Sequence, residues 1–348
     1  MRKIKVLIVD DSSLVRVFLT KALSDAGNIE VVGTAANPYQ AVEEIKKKRP
    51  DLLTLDVEMP GMNGLEFLEK LMKAHPMPVI MVSTLTAKGS RVTIKALELG
   101  AVDFIEKPII KETEDLDGFK REILGKIQAF REIEMKKVLN TVRKRDDFHN
   151  RETKIKADNK KIIAIGASTG GVQTLKKLLP SFTSNFPGVV IIQHMPADFT
   201  SAFAEMLNKI SAIDVKEAED GDIIKSGVAL IAPGDYHLEV IEKKGNYIVS
   251  LNKGKKVNYQ RPAVDISFNS LAKATGKNII AVLLTGMGVD GARGMLNIRK
   301  AGGYAIAQDE STSIVYGMPK AAVKLNAVDE VLPLDQISQR IKKILNEV

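Results

Sequence analysis

Two sets of side chains in this sequence have the types and spacing to do chemistry. The first is Gly166-Ala167-Ser168-Thr169-Gly170-Gly171, with His194 and Asp290 further along. A serine hydroxyl is a weak nucleophile at neutral pH and needs a base to take its proton. Histidine titrates near the working pH, and an ionised acid behind it fixes its tautomer and stabilises the imidazolium. Gly-x-Ser-x-Gly on a strand-to-helix turn exposes the hydroxyl at the top of a sheet. This set supports acyl transfer through a covalent serine intermediate. Backbone amides after the elbow, that of Thr169 first, or in the loop Gly286-Met287-Gly288, are candidates to receive the oxyanion. The second set is Asp10, Asp11, Asp56, Ser83 and Lys107. Carboxylates brought together repel unless a cation neutralises them, and hard oxygen donors suit Mg²⁺. A lysine and a hydroxyl beside them can bind phosphoryl oxygens. The chemistry is transfer of a phosphoryl group onto a carboxylate.

Each assignment has competitors. The histidines are His75, His149, His194 and His237. His75 falls at a helix end and His149 in a polar stretch. His237 competes with His194, although hydrogen bonding that closes a loop is the simpler role for it. Asp265 competes with Asp290, but lies within a helical period where it can cap or face water. A Gly-rich turn that only cradles a phosphate at a helix N-terminus is the competing reading of residues 166–171; a G-x-G-x-x-G fingerprint is absent there, because Ser168 occupies its second glycine position.

The elements that must position these groups alternate between apolar runs and helical periods. In the first half, strands are expected over 4–9, 30–35, 51–55, 78–82 and 101–105, with helices after Ser12-Ser13, ending at Gly27, and over 38–48. Asp10-Asp11, Asp56, Ser83 and Lys107 then fall at strand ends. In the second half, strands are expected over 162–165, 188–192, 228–232, 247–251, 277–284, 304–308 and 327–332, with helices over 172–179, 264–273 and 334–345. Ser168, His194 and Asp290 follow three of them. The fold class is α/β: two doubly wound parallel-sheet domains, whose ligands bind beyond the carboxyl ends of the strands. The expected boundaries are 1–123, a helical and charged linker over 124–158, and 159–348; apolar residues at helical spacing from Phe119 to Ile133 extend the first domain by a terminal helix.

Of 348 residues, 45% are hydrophobic and 27% charged, which is ordinary for a globular protein of two domains. Cysteine is absent, which excludes disulfides, zinc-thiolate sites and a cysteine nucleophile. No run approaches the roughly 20 apolar residues that span a bilayer, and the first residues lead straight into a strand. A cytoplasmic protein without membrane insertion is expected. The net charge of +8 is concentrated over 131–161, with 11 Lys+Arg against 6 Asp+Glu and a single aromatic, Phe148. That pattern fits a solvated linker better than a nucleic-acid surface, and no basic helix-turn-helix follows residue 160.

Val9-Asp10-Asp11-Ser12, Leu55-Asp56-Val57-Glu58-Met59-Pro60-Gly61-Met62-Asn63-Gly64 and Glu106-Lys107-Pro108 resemble the receiver domain of bacterial response regulators. The resemblance implies a flavodoxin-like fold, Asp56 as phospho-acceptor, and Mg²⁺ held by Asp10, Asp11, Asp56 and the backbone carbonyl of Glu58. It also implies Ser83 and Lys107 as the groups that sense the phosphate, and a chemotaxis histidine kinase as phosphodonor. The elbow, Gln193-His194-Met195, Ala232-Pro233-Gly234, Arg261-Pro262-Ala263-Val264-Asp265 and Thr285-Gly286-Met287-Gly288-Val289-Asp290-Gly291 resemble the catalytic domain of the CheB family, the chemotaxis protein-glutamate methylesterases. This implies a Rossmann-like domain with Ser168 as nucleophile, His194 as base, Asp290 as its orienting acid and the Met287 amide as oxyanion donor. The implied substrates are glutamate γ-methyl esters on the cytoplasmic helices of chemoreceptors, with glutamine deamidation as a related activity and no cofactor for the esterase. Restraint by the unphosphorylated receiver, relieved at Asp56, is expected. The rival reading is a response regulator whose α/β output domain binds a ligand without turnover.

Overall fold

A computed structural model describes residues 2–83, 87–107, 113–129 and 161–347. The chain divides into two units, Met1–Lys144 and Arg145–Val348. In the first, the elements run β1 (Ile4–Val9), α1 (Ser13–Ser24), β2 (Ile29–Ala35), α2 (Pro38–Lys48), β3 (Leu52–Asp56), α3 (Gly64–Ala74), β4 (Val79–Ser83), α4 (Ala87–Leu99), β5 (Asp103–Glu106) and α5 (Thr113–Ala129). The strands form one parallel sheet in the order β2-β1-β3-β4-β5. Strands β3 and β4 are buried along their whole length, as strands with both faces covered must be. Side chains of Ser12, Asn37 and Asn63 cap α1, α2 and α3, satisfying amides that the first helical turn leaves unpaired. The expected terminal helix is present as α5, with Phe119, Ile123 and Ile127 buried. Its continuation to Ile133 and most of the linker over 124–158 lie outside the described residues.

The second unit opens with β6 (Ile162–Ala167) and α6 (Gly171–Leu178), then β7 (Gly188–Gln193), α7 (Ala197–Asn208), β8 (Asp214–Glu217), β9 (Val228–Ile231), β10 (His237–Lys243) and β11 (Asn246–Asn252). It continues with α8 (Val264–Thr275), β12 (Ile279–Leu283), α9 (Ala292–Lys300), β13 (Tyr304–Gln308), α10 (Met318–Lys324), β14 (Glu330–Leu332) and α11 (Leu334–Asn346). Seven strands form a parallel sheet in the order β14-β13-β12-β6-β7-β9-β8, while β10 and β11 pair antiparallel as a separate hairpin. The run 247–251 thus belongs to the hairpin and not to the main sheet. Its partner β10 and the edge strand β8 escape a reading of apolar runs for a physical reason. β8 is Asp-Val-Lys-Glu at a solvated edge, and β10 buries its first half but exposes Ile241-Glu242-Lys243.

The order of the sheet positions the site. β6 is central, with β7 on one side and β12 on the other, so the chain winds away from β6 in both directions. The carboxyl ends of such strands form the usual crevice of an open parallel sheet. Ala167 pairs with Gln193, and Gly166 with Leu283, which fixes residues 168, 194 and 284 onward at that edge.

Candidate active site

The main chain of Ser168 is tied on both sides. Its amide donates to the Thr285 carbonyl at 3.0 Å, and its carbonyl accepts from the Gly171 amide at 2.7 Å. The buried Gln193 amide group donates to the same Ser168 carbonyl at 2.9 Å and to that of His194 at 3.3 Å, joining the serine turn to the next strand end. This arrangement explains Gly171: a Cβ there would lie 2.0 Å from the Gln193 Oε1. It also explains Gly286, where a Cβ would meet that of Ser168 at 2.8 Å. The Gly286 carbonyl accepts from the Gly317 and Met318 amides at 3.1 and 2.8 Å. Because a trans peptide is planar with its N–H opposed to its C=O, the Met287 N–H points within that fixed plane in the direction opposite to the Gly286 carbonyl. The Thr169 carbonyl is held by the Thr285 hydroxyl at 3.0 Å.

His194 Nε2 and Asp290 Oδ2 are 2.8 Å apart, with the two side chains only 6% and 3% exposed. The carboxylate takes three more hydrogen bonds: Val264 N at 2.7 Å on Oδ2, and Asp265 N at 3.1 Å and Asn258 Nδ2 at 2.9 Å on Oδ1. Val264 and Asp265 open α8, whose own N-cap residue, Ala263, offers no side-chain cap. Asp290 therefore caps α8 from across the fold. Asp265 returns the arrangement, its Oδ1 accepting from Gly294 N in the first turn of α9 at 2.8 Å. Asn258 also donates to Asp265 Oδ2 at 3.3 Å and so bridges the two acids. Burial works to raise Asp290, but the hydrogen bond and charge of His194, Asn258 and the Val264 amide outweigh it and hold the carboxyl below the usual range. Asp265 is pushed up instead, first by burial and also by the neighbouring Asp290, against the pull of the Gly294 amide.

The competitors find other roles. His237, buried, accepts from Ala263 N at 3.3 Å through Nδ1 and donates through Nε2 to the Lys255 carbonyl at 2.9 Å. Both ring nitrogens are committed to closing the loop before α8, as its loop position suggests. Asp265 caps α9. The sequence reading missed Asn258 altogether, since nothing in the order of residues signals that a loop amide folds back onto Asp290. Gln193 stood in a quoted motif without a role.

In the first unit, Asp10, Asp56 and Ser83 are almost fully buried at strand ends, and Asp11 is exposed beside them. Lys107 Nζ lies 2.8 Å from Asp56 Oδ2 and 3.0 Å from Asp10 Oδ2. The other oxygens accept from backbone amides, Asp10 Oδ1 from Ser12 N at 2.9 Å and Asp56 Oδ1 from Glu58 N at 3.1 Å. Burial pushes Asp56 up to about 6 against the pull of Lys107, with the Asp10 charge adding to the rise. For Lys107, burial is outweighed by the two carboxylates, which hold it above its ordinary value. Oxygens of Asp10, Asp11 and Asp56 come within 4.8 Å of one another. Three hard anionic donors so close, one of them resisting ionisation, fit a small divalent cation.

The parallel sheet with an acidic, lysine-topped edge defines a receiver, and the sheet that follows carries a serine elbow and a His–Asp pair at its own carboxyl edge. The family model described as CheB methylesterase matches residues 163–341, and that of the response regulator receiver domain matches residues 6–116. A protein-glutamate methylesterase/protein-glutamine glutaminase 2 of Pseudomonas aeruginosa is 49% identical over 96% of this chain and 95% of its own length. The protein-glutamate methylesterase/protein-glutamine glutaminase of Salmonella typhi is 47% identical over 98% and 97%. The solved CheB methylesterase catalytic domain of Thermotoga maritima superposes with a TM-score of 0.52 at 42% identity, over 53% of this chain and 98% of that domain. The chain belongs to the CheB methylesterase family, with an N-terminal receiver. The relatives side with the esterase reading and not with a non-catalytic ligand-binding output domain. Among the described residues, no helix is long and apolar enough to cross a membrane.

Proposed function

We propose that this protein is a receiver-regulated serine esterase that hydrolyses glutamate γ-methyl esters on the helical cytoplasmic part of chemoreceptors, and deamidates glutamines there by the same route. The observation that carries this reading is the buried 2.8 Å bond between His194 and Asp290, at the sheet edge where Ser168 ends the adjoining strand. With Nε2–H donated to Asp290, the second ring nitrogen, Nδ1, is the one left to take the serine proton. Ser168 Oγ attacks the ester carbonyl as that proton moves to His194. The oxyanion forms against the N–H groups of Met287 and Thr169. The imidazolium returns its proton to the departing methoxide, and methanol leaves. Water, deprotonated by His194, then releases the glutamate carboxylate and restores Ser168. An amide substrate follows the same steps with ammonia leaving.

In the receiver, Asp56 is the nucleophile toward a phosphohistidine donor, forming an acyl phosphate as the donor's P–N bond breaks. Asp10, Asp11, Asp56 and the Glu58 carbonyl would hold Mg²⁺, which supplies neutralisation of the charge on the transferring group. Lys107, already beside Asp56, and Ser83 would bind the new phosphoryl oxygens. Phosphorylation shifts the population away from a restrained state of the catalytic unit. Methanol release from methylated receptor fragments tests the reading. It should vanish in Ser168→Ala and rise when a small phosphodonor and Mg²⁺ are added to wild type. Release that persists in Ser168→Ala would overturn the nucleophile, and a rate indifferent to the phosphodonor would remove the regulation.

A further inference from the structure

Two features of the catalytic unit are not used by this chemistry, and they fall in one place. Among its described residues, the most exposed large hydrophobic side chains are Tyr259 at 79% and Val289 at 59%. The bond from Asn258 Nδ2 to Asp290 Oδ1, at 2.9 Å, brings their neighbours together, since Tyr259 follows the donor and Val289 precedes the acceptor. Both therefore stand on the rim around the His194–Asp290 pair. Tyr259 has a positive φ of 64°, as Asn258 before it has at 50°. Both residues form the two-residue turn that the paired Val257 and Gln260 close, a turn that needs positive φ at each central position; asparagine accepts that region readily, whereas a bulky aromatic is uncommon there.

The second feature precedes these residues in the chain. Lys255 and Lys256 are exposed and make no ion pair among the described residues. Their loop has no helix or strand, yet its backbone is held. His237 donates to the Lys255 carbonyl at 2.9 Å, Arg261 Nη1 donates to that of Gly254 at 2.9 Å, and the Gly254 amide donates to Asn252 Oδ1 at 3.0 Å. Two residues of chain span at most about 7 Å, so Lys256 starts close to Asn258, near enough for a side chain of its length to extend to the same rim. The fold thus holds the backbone that carries two exposed lysines close to the two exposed apolar side chains beside Asp290.

We propose that Lys255, Lys256, Tyr259 and Val289 form the docking surface for the protein segment that carries the ester, an amphipathic helix with carboxylates beside the reacting side chain. The inference rests on the esterase reading above. The charge argument follows from the product: each turnover leaves a carboxylate, so a segment with several such side chains presents anions next to its remaining esters. On a helix, residues three or four apart are about 5–6 Å from one another. An acid one turn from the ester can therefore meet a lysine while the ester enters the site. Tyr259 and Val289 give the helix an apolar face to rest on. The neutral ester by itself offers no charge to hold.

The test is steady-state methanol release from a methylated receptor helix fragment by the full-length protein with a phosphodonor present. Wild type, Ser168→Ala, a Lys255→Glu/Lys256→Glu variant and a Tyr259→Asn/Val289→Ser variant are compared, with thermal melts confirming that each is folded. Asparagine at 259 keeps a residue that accepts the positive φ. Each double variant should raise KM about tenfold with kcat within twofold, and the lysine variant should also flatten the fall of kcat/KM with added salt. An unchanged KM, with release still abolished in Ser168→Ala, would leave the esterase standing and overturn the docking surface. A higher basal rate without a change in KM would overturn it too, by assigning the rim to restraint. So would loss of a concentration-dependent dimer, by assigning it to a second copy. Absence of release from wild type would sink the esterase reading and the docking surface together.

Discussion

Asp290→Asn keeps the shape of the side chain and replaces one acceptor oxygen by a donor. In the wild-type protein, Oδ2 takes Val264 N at 2.7 Å and His194 Nε2 at 2.8 Å, and Oδ1 takes Asp265 N at 3.1 Å and Asn258 Nδ2 at 2.9 Å. Either rotamer of asparagine points its NH₂ at a backbone N–H of α8. One buried amide is left unpaired, at about 1–3 kcal/mol, and a negative charge is lost from a helix N-terminus, at about 1 kcal/mol. Stability should fall by about 2–4 kcal/mol. Activity should fall further, because the imidazolium formed during attack loses its anion in a site almost closed to water. Asparagine for the triad acid costs about 10⁴ in kcat in the well-studied serine proteases; a fall of 10³–10⁴ here corresponds to about 4–5.5 kcal/mol. Methanol release would be measured beside urea unfolding. Asp265→Asn is the control: it loosens the Gly294 cap at about 1 kcal/mol but makes no contact with His194, so its kcat should stay within tenfold. The pH dependence follows from the sign of the shift. The folded pKa of Asp290 lies below 3.8, so its stabilisation is complete above about pH 5 and lost only as pH falls through the folded value. The stability gap between wild type and Asp290→Asn should be flat from pH 5 to 8 and narrow only in acid. A kcat within tenfold of wild type in folded Asp290→Asn would refute the triad reasoning.

Two further perturbations probe the supports. Gln193→Leu removes the donor shared by the Ser168 and His194 carbonyls; kcat should drop about 10- to 100-fold with a smaller change in KM, and a kcat loss below twofold would show that the clamp does not position the nucleophile. Asp56→Asn addresses the receiver in the presence of a chelator. Because burial raises the Asp56 pKa to about 6 from 3.8, the folded state holds a proton that the unfolded state releases between those values. Wild-type receiver stability should therefore decline, on the order of 2 kcal/mol, as pH rises from about 4 to 6. Asp56→Asn should lack that decline, and Mg²⁺ should restore wild type more than the variant. Parallel pH curves for the two proteins by thermal melting would contradict the burial of a strained carboxylate.

The main elements were legible because parallel strands buried on both faces must be continuous apolar runs. The runs beginning at Ile4 and Tyr304 match their strands from end to end, and the run beginning at Ile162 extends two residues further, to Ala167. The edge strand Asp214–Glu217 and the hairpin strand His237–Lys243 were not legible, because half-solvated strands carry charges that break the run. The receiver cluster could be read in outline, since Asp10, Asp11, Asp56, Ser83 and Lys107 each end an apolar run, and sheets of this kind gather such ends at one edge.

The sequence by itself determined that a serine sits on a strand-to-helix turn, that two parallel sheets carry polar groups at their carboxyl ends, and which family these motifs resemble. Spacing alone left open which histidine meets which acid, and only the resemblance pointed to His194 and Asp290. That choice was made by the order β12-β6-β7, which brings Asp290 onto His194 across 96 residues, and by the reciprocal capping of α8 and α9, which uses one aspartate to orient the imidazole and commits Asp265 to a helix end. Local propensity is a property of neighbours in the chain. Hydrogen bonds between groups far apart in sequence exist only once packing has brought the strand ends together, so only the tertiary structure assigns them.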